Sequence, residues 1–529
     1  MKKSRYLRIY DLHSWSGIIL GLFVYVVSFT GCLALFENEL KGWEDPAKRL
    51  VIAQQSPAMM PKLQAWIDQN SKNEEVELIN FTYPHPNTPY FQVLMNTRSE
   101  GGERTRHETR WDTQHGKELV FKNEALTEWL LDFHRDLMWP AQLGGRTVGR
   151  AIVGVAGVIL MLSIITGIIT HTKIIREFFT LRVKRSVHLK WQDLHKILGL
   201  WALPFYTMIS FTGAFLGIIA ILAPLAAVLA FKGDTEALFI AVNGVDVERS
   251  GVQAKMLSVD ELKELRHPQS NTLPERIIVN KWGDQTATYA VRFPSQDTLT
   301  RRDVITLDGV TGELKKSKRS SSERAADRAN SLITPLHYAT YGGIWLKALY
   351  VVLGLFLCIV TATGLMVWIE RRLKNNKGAS SQQFYLRLGR FSNGVIMGFP
   401  IASIAIFYLD KLYIGAESSR LFYTGICYFA AVFLTILFAM LRTQDYRTTR
   451  ILFSLCSIGL LGLPIVNAIM TNSDLFYGLA NNQTWAWADV SFFASGLILL
   501  VISFYLPKER SVEPSDKKNA ALAASGFVQ

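Results

Sequence analysis

Eight apolar runs, each about as long as a bilayer is thick, constrain this chain more than any other feature. Backbone polar groups in hydrocarbon must be satisfied within the segment, so runs of this kind fold as helices. They lie at about 12–36, 147–171, 195–231, 344–369, 392–410, 421–441, 451–471 and 487–506. With 49% hydrophobic residues in a chain of 529, the expected class is a polytopic α-helical membrane protein with about eight transmembrane helices.

The first and third runs share a pattern. Asp11 to Gly31 reads DLHSWSGIILGLFVYVVSFTG, and Asp193 to Gly213 reads DLHKILGLWALPFYTMISFTG. A looser pair follows, IITG ending at Gly167 and TATG ending at Gly364. The unit is apolar segment, polar segment, apolar segment, used twice, which is an internal duplication of spans 1–2 and 3–4. Duplicated halves in membrane proteins commonly build a site between them.

Charge sets the expected orientation. The chain carries a net +13, and its basic residues cluster beside the apolar runs: Lys2, Lys3, Arg5 and Arg8; Lys173 to Lys190; Arg371, Arg372 and Lys374; Arg442, Arg447 and Arg450. Lys and Arg collect on the cytoplasmic side, so membrane lipid explains the charge and nucleic acid is not called for. The expected order is a first span at 1–36, a polar domain at 37–145, a span at 146–171, a basic cytoplasmic loop at 172–194 and a span at 195–231. A second polar domain at 232–340, a span at 341–370, four further spans within 390–507 and a disordered cytoplasmic tail at 508–529 complete it. Both termini are then cytoplasmic and both polar domains extracytoplasmic. Within them FQVLMN, ERIIVN and TYAVRF read as strands and VITLDGVTGEL as a hairpin. From Glu124 to Met138, Leu126, Trp129, Leu130, Phe133 and Leu137 recur at helical spacing, which predicts a helix lying on the membrane surface.

The four cysteines all sit in apolar runs, which argues against a disulfide framework or a CxxC metal site. The first span is too long, and lacks an A-x-A end, for a cleaved signal peptide.

Five of the ten histidines sit at membrane boundaries. His13, His171 and His195 lie at the cytoplasmic ends of spans, and His134 and His337 precede spans on the other side. Ionisable groups placed there are costly and tend to be functional. His13, His195 and His171 each have a glycine one turn deeper, Gly17, Gly199 and Gly167, and four residues is about 400° of helix. That predicts a bare strip beneath an imidazole on its own helix, suited to a flat macrocycle. Imidazole is the usual ligand of b-type haem iron, and two imidazoles suit electron transfer. Zinc would want three or four clustered ligands, and neither HExxH nor a Cys/His cluster occurs.

These pieces together resemble the PepSY-associated transmembrane family, iron-regulated inner-membrane proteins that include di-haem ferrisiderophore reductases. The resemblance rests on DLHSWSGIILG, FHRDL, GIITHTKIIREFFTLR, WQDLHKILGLWALPF and PLHYATYGG, in that order. WDTQHGKEL and LDGVTGEL are similar to the strand–turn ends of PepSY modules. It covers about residues 1 to 375 and leaves the last four spans outside. It implies two α+β PepSY-like extracytoplasmic domains and two haem b groups, one per leaflet. His134 and His337 form the natural outer pair, and two of His13, His171 and His195 hold the inner iron. It further implies a ferric siderophore or other ferric chelate as electron acceptor, a quinol or cytoplasmic reductant as donor, and a link to iron uptake. A PepSY-based regulatory, peptidase-inhibiting or ligand-sensing module without redox activity is the competing reading, and a transporter is a third.

Overall fold

The computed structural model describes residues 3–49, 59–72, 74–85, 88–99, 104–122, 124–171, 178–179, 182, 187–233, 249–257, 271–294, 302–318, 325–375 and 378–506. Much of the basic loop, including Lys173, Arg176, Lys184 and Arg185, and the tail at 508–529 lie outside the described residues.

Helix α1 (Lys3–Ala34) leads into a short α2 (Glu37–Glu44). Helix α3 (Met59–Asn70) and strands β1 (Glu75–Thr82), β2 (Phe91–Arg98), β3 (Arg104–Asp112) and β4 (Lys117–Glu118) follow. Helix α4 (Ala125–Asp136) precedes the spanning helix α5 (Gly145–Thr170). The second half repeats the plan: α6 (Val187–Trp201), α7 (Leu203–Phe231), strands β5 (Arg276–Asn280), β6 (Thr288–Pro294), β7 (Arg302–Asp308) and β8 (Leu314–Lys318), then α8 (Ala325–Tyr338) and α9 (Gly343–Asn375). Four more long helices close the described chain, α10 (Ala379–Leu412), α11 (Glu417–Leu441), α12 (Asp445–Thr471) and α14 (Ala486–Tyr505), with a short α13 (Leu475–Ala480) before the last.

Seven of these helices are each long and apolar enough to span a membrane, and α6 and α7 pass the same test only together, as a bent pair. The sequence predicts one straight helix over 195–231. Instead the chain breaks at Ala202 and turns through 71°. Pro204, in the first turn of α7, has no N–H to give the carbonyl four residues back, and its ring crowds that carbonyl. At the matching place in the first repeat stands Leu22, and α1 runs through unbroken.

The two polar segments do not stand apart. Their strands join in one antiparallel sheet of order β4-β3-β2-β1-β5-β6-β7-β8. The seam is β1 against β5, with Ile79 opposite Val279 and Phe81 opposite Ile277. Alternation sends Val93, Met95, Ile79, Phe81, Ile277, Val279, Val291 and Phe293 to one buried face, with Leu63 and Ile67 of α3 packed on it. Joining the halves buries apolar side chains at the seam, each contributing roughly 1.5–3 kcal/mol when fully covered, and removes two edge strands that would otherwise be open.

Helix α4 forms as its spacing predicts, but its apolar face meets protein. Leu126, Trp129, Leu130 and Phe133 are buried against α10 and α11, with the Trp129 ring tilted 41° to Tyr428 at 4.2 Å. Spans beyond the duplicated region cover the face that the sequence assigns to lipid. The halves meet closely where α5 crosses α7. A Cβ at Gly217 would lie 2.5 Å from the Cα of Gly154, and one at Gly157 would lie 2.7 Å from the backbone nitrogen of Ala214. Small residues at such a crossing let the backbones approach without a side chain between them.

Candidate functional site

Four of the five boundary histidines meet as two pairs. His134 faces His337 with ring centroids 6.4 Å apart and planes at 22°, and His13 faces His195 at 6.3 Å and 70°. His134 lies in the last turn of α4 and His337 in the last turn of α8, each followed by a left-handed residue, Leu137 or Ala339, that turns the chain toward its spanning helix. The start of α4 is fixed by Glu44, whose carboxylate accepts from the Leu126 and Thr127 N–H groups at 2.9 and 3.0 Å and from the Thr127 hydroxyl at 2.8 Å. That cap occupies donors a helix N-terminus leaves open.

Each imidazole is held the same way, by a Thr-Gly dipeptide on a neighbouring helix. His13 Nδ1 lies 3.0 Å from the Ser163 carbonyl and 3.2 Å from the Thr166 hydroxyl. His134 Nδ1 lies 3.1 Å from the Val27 carbonyl and 3.4 Å from the Thr30 hydroxyl. His195 Nδ1 lies 2.8 Å from the Val360 carbonyl and 3.5 Å from the Thr363 hydroxyl. His337 Nδ1 lies 3.0 Å from the Thr212 hydroxyl. Every one of these hydroxyls donates to a carbonyl one turn back in its own helix, at 2.7–2.9 Å. With its proton so placed, the threonine oxygen can only accept, as can a carbonyl. Nδ1 therefore carries the proton and Nε2 the free lone pair.

The glycine after each threonine makes room for the ring. A Cβ at Gly31 would stand 2.9 Å from His134 Cε1, at Gly167 3.2 Å from His13 Cε1, at Gly213 3.1 Å from His337 Cε1 and at Gly364 3.0 Å from His195 Cε1. The sequence places a bare strip on the histidine's own helix, at Gly17 and Gly199, and a Cβ there meets nothing within 4 Å, so that space is open; the ring itself is seated against the glycine across the helix interface. Every anchor joins elements of one half, α5 holding α1, α1 holding α4, α9 holding α6 and α7 holding α8. Every pair then forms between halves.

Burial pushes the imidazole of His134 down to about 4 and that of His337 down to about 3, so both are neutral near pH 7. Two neutral imidazoles with lone pairs directed away from their anchors make a two-nitrogen donor set. Among the described residues no cluster of three or more His, Cys, Asp or Glu suits a metal ion, so the donor set is not that of a closed zinc site. His171 caps the C-terminus of α5, its N–H reaching the Gly167 carbonyl at 3.1 Å, and its ring belongs to neither pair. Sequence reasoning left the far-side pair open among three candidates and missed the threonines. Their signal was present in the FTG, ITG, FTG and ATG endings that mark the repeat.

His13 and Gly31 lie eighteen residues apart on α1, about 27 Å of helix, close to the thickness of a bilayer core. One imidazole pair therefore sits at the sheet end of the bundle and the other at the far end.

A family model described as the PepSY-associated TM region matches residues 10–371, which takes in both halves and all four paired histidines. The uncharacterized protein PA4219 of Pseudomonas aeruginosa is 29% identical over 299 residues, 52% of this chain and 72% of that protein. A multi-pass helical bundle with that match over most of its length places the chain in the family of the PepSY-associated TM region.

Proposed function

We propose that this protein is a di-haem b-type electron-transfer protein of an inner membrane, carrying electrons from a quinol or cytoplasmic reductant to a ferric chelate, of the siderophore class, on the sheet side. The observation that carries the reading is the spacing within the pairs. A metal–imidazole bond is about 2.0–2.1 Å and a ring nitrogen sits about 1.1 Å from its centroid, so two imidazoles that held one metal between them would have centroids about 6.3 Å apart. The observed separations are 6.3 and 6.4 Å.

The residues fit haem. Each Nδ1–H is tied to a carbonyl or a threonine, the support that metal-bound histidines ordinarily have, and Nε2 is left as the ligand atom. The open space at Gly17, Gly21 and Gly199 borders the His13–His195 pair with surfaces that lack side chains, against which a flat macrocycle can lie. His134 with His337, and His13 with His195, would hold haem iron through two imidazoles each, a ligand set suited to one-electron transfer rather than oxygen binding. When bound, haem supplies a reversible one-electron carrier. The chain's part is to hold the rings through the Thr-Gly cradles, keep each Nε2 unprotonated by burial, and set the two pairs near opposite faces of the bilayer. A ferric chelate taking up one electron becomes ferrous, which weakens its hold on hard oxygen donors and lets the metal go.

The basic clusters beside the spans support the far-side pair as cytoplasmic and the sheet as extracytoplasmic. Two measurements test the reading. Purified protein should give a sharp α-band in a reduced-minus-oxidised spectrum and about two haems per chain by pyridine haemochrome. Right-side-out and inverted vesicles, given a quinol and an impermeant ferric chelate, should reduce it faster where the sheet faces the chelate. A colourless, metal-free preparation would overturn the proposal in favour of a regulatory or ligand-sensing module.

A further inference from the structure

On the sheet side a polar cavity of about 520 Å³ opens where α2, β2, β3, the start of α4 and the turn between α13 and α14 converge. Sites for small ligands run from about 300 to 1,000 Å³. Its wall carries five cations, Lys41, Lys48, Arg49, Arg106 and Arg110, against two carboxylates, Glu108 and Glu124.

Each carboxylate already serves two cations. Glu124 binds Lys48 and lies 3.6 Å from Lys41, while Glu108 lies 2.6 Å from Arg110 and 3.4 Å from Arg106. Glu37, outside the wall, adds a contact to Lys41 at 2.7 Å. Arg49 reaches the neutral oxygens of Gly42 at 2.8 Å and Thr471 at 3.0 Å, with its guanidinium 3.9 Å over the Trp485 ring. Behind the wall Asp489 accepts from Trp43 and Asn467, and Asp45 from the backbone of Ala47 and Lys122, and both offset part of the charge of Arg49. The lining itself carries more cations than carboxylates, a balance complementary to an anion rich in oxygen.

We infer that this cavity binds a small anionic chelate of the polycarboxylate class, and, resting on the function proposed above, that it is where the electron acceptor docks. Glu124 directly precedes α4 and His134 lies ten residues on, about 15 Å along the helix, so a ligand in the cavity sits above the sheet-side pair. One wall, Asn481 to Trp485, comes from beyond residue 371, where the family match ends. The cavity is thus completed by the extra helices, and docking is a role for them that needs no histidine.

The test uses full-length protein in detergent and gallium citrate, a redox-inactive stand-in for ferric citrate, with binding followed by calorimetry. Saturable binding that weakens with salt is expected, together with a loss of about tenfold or more in Arg110→Gln, the optical spectrum unchanged. Gln483→Ala, on the turn before α14, should also weaken binding and serves if Arg110→Gln does not fold. No saturable binding by millimolar gallium citrate, or binding that neither substitution alters, would overturn the inference. Haem with normal spectra but no citrate binding removes only the docking site, whereas citrate binding by a colourless protein upholds the anion site and removes the electron-transfer reading.

Discussion

Gly31→Ala adds one methyl group, yet the cradle geometry gives it a large consequence. The new Cβ would stand 2.9 Å from His134 Cε1 and 3.4 Å from Nδ1. Carbon–carbon contacts settle at about 3.5–4.0 Å, so the ring must retreat by about 0.6 Å or more. Metal–ligand distances tolerate only about 0.2 Å, a third of that displacement. The retreat also stretches the Nδ1 contacts to Val27 and Thr30, now 3.1 and 3.4 Å, at a cost of about 0.5–1.5 kcal/mol for a lost hydrogen bond. Helix propensity runs the other way, since Ala in place of Gly favours a helix interior by about 1 kcal/mol. The substitution should therefore leave α1 at least as stable while emptying the sheet-side site. If the pairs hold haem as proposed, pyridine haemochrome on purified protein should give about half the wild-type haem, with the far-side haem spectrally intact. Gly389→Ala is the control, because its Cβ would meet Ile369 at an ordinary 4.0 Å. A full haem complement with an unshifted α-band in Gly31→Ala, or an equal loss in the control, would refute the reasoning.

On the same proposal, His134→Ala and His337→Ala should each remove the same haem, and the double variant should lose no more, because ligands to one metal are strongly coupled. His171→Ala should keep both haems, while His13→Ala or His195→Ala each lose the far-side one; haem loss in His171→Ala alone would reverse that assignment. Thr212→Val removes the hydroxyl that holds His337 Nδ1 and should lower haem affinity about two- to tenfold, more than Thr30→Val, where the Val27 carbonyl remains. Competition with a haem acceptor protein measures both. Gly217→Leu places carbon 2.5 Å from the Cα of Gly154 and should destabilise the crossing of α5 and α7 by about 1–3 kcal/mol, read as a lower Tm in detergent.

The membrane spans are readable from the chain alone because hydrocarbon permits so little: a long apolar run there must be a helix whatever its neighbours do. The strands of the sheet are legible for a related reason. Alternation in FQVLMN and TYAVRF is a local property, and both form strands where the pattern lies. The boundary histidines stand out because a polar ring beside an apolar run is conspicuous, and Pro204 stood in plain view as the cause of a break that the hydropathy of 195–231 conceals.

Tertiary structure decided everything that depends on which surfaces meet. Nothing local in FTG or ATG says that the threonine will accept from an imidazole on another helix, or that the following glycine will receive its ring. Composition cannot tell that α10 and α11 will cover the apolar face of α4, since a lipid-facing and a protein-facing stripe have the same residues. The union of two polar segments in one sheet follows from a seam whose partners are about two hundred residues apart, such as Ile79 and Val279. The pairing of His13 with His195 arises likewise, because each half alone holds only one imidazole of each pair. Local patterns in the sequence set the elements, and the contacts between the two halves made the site.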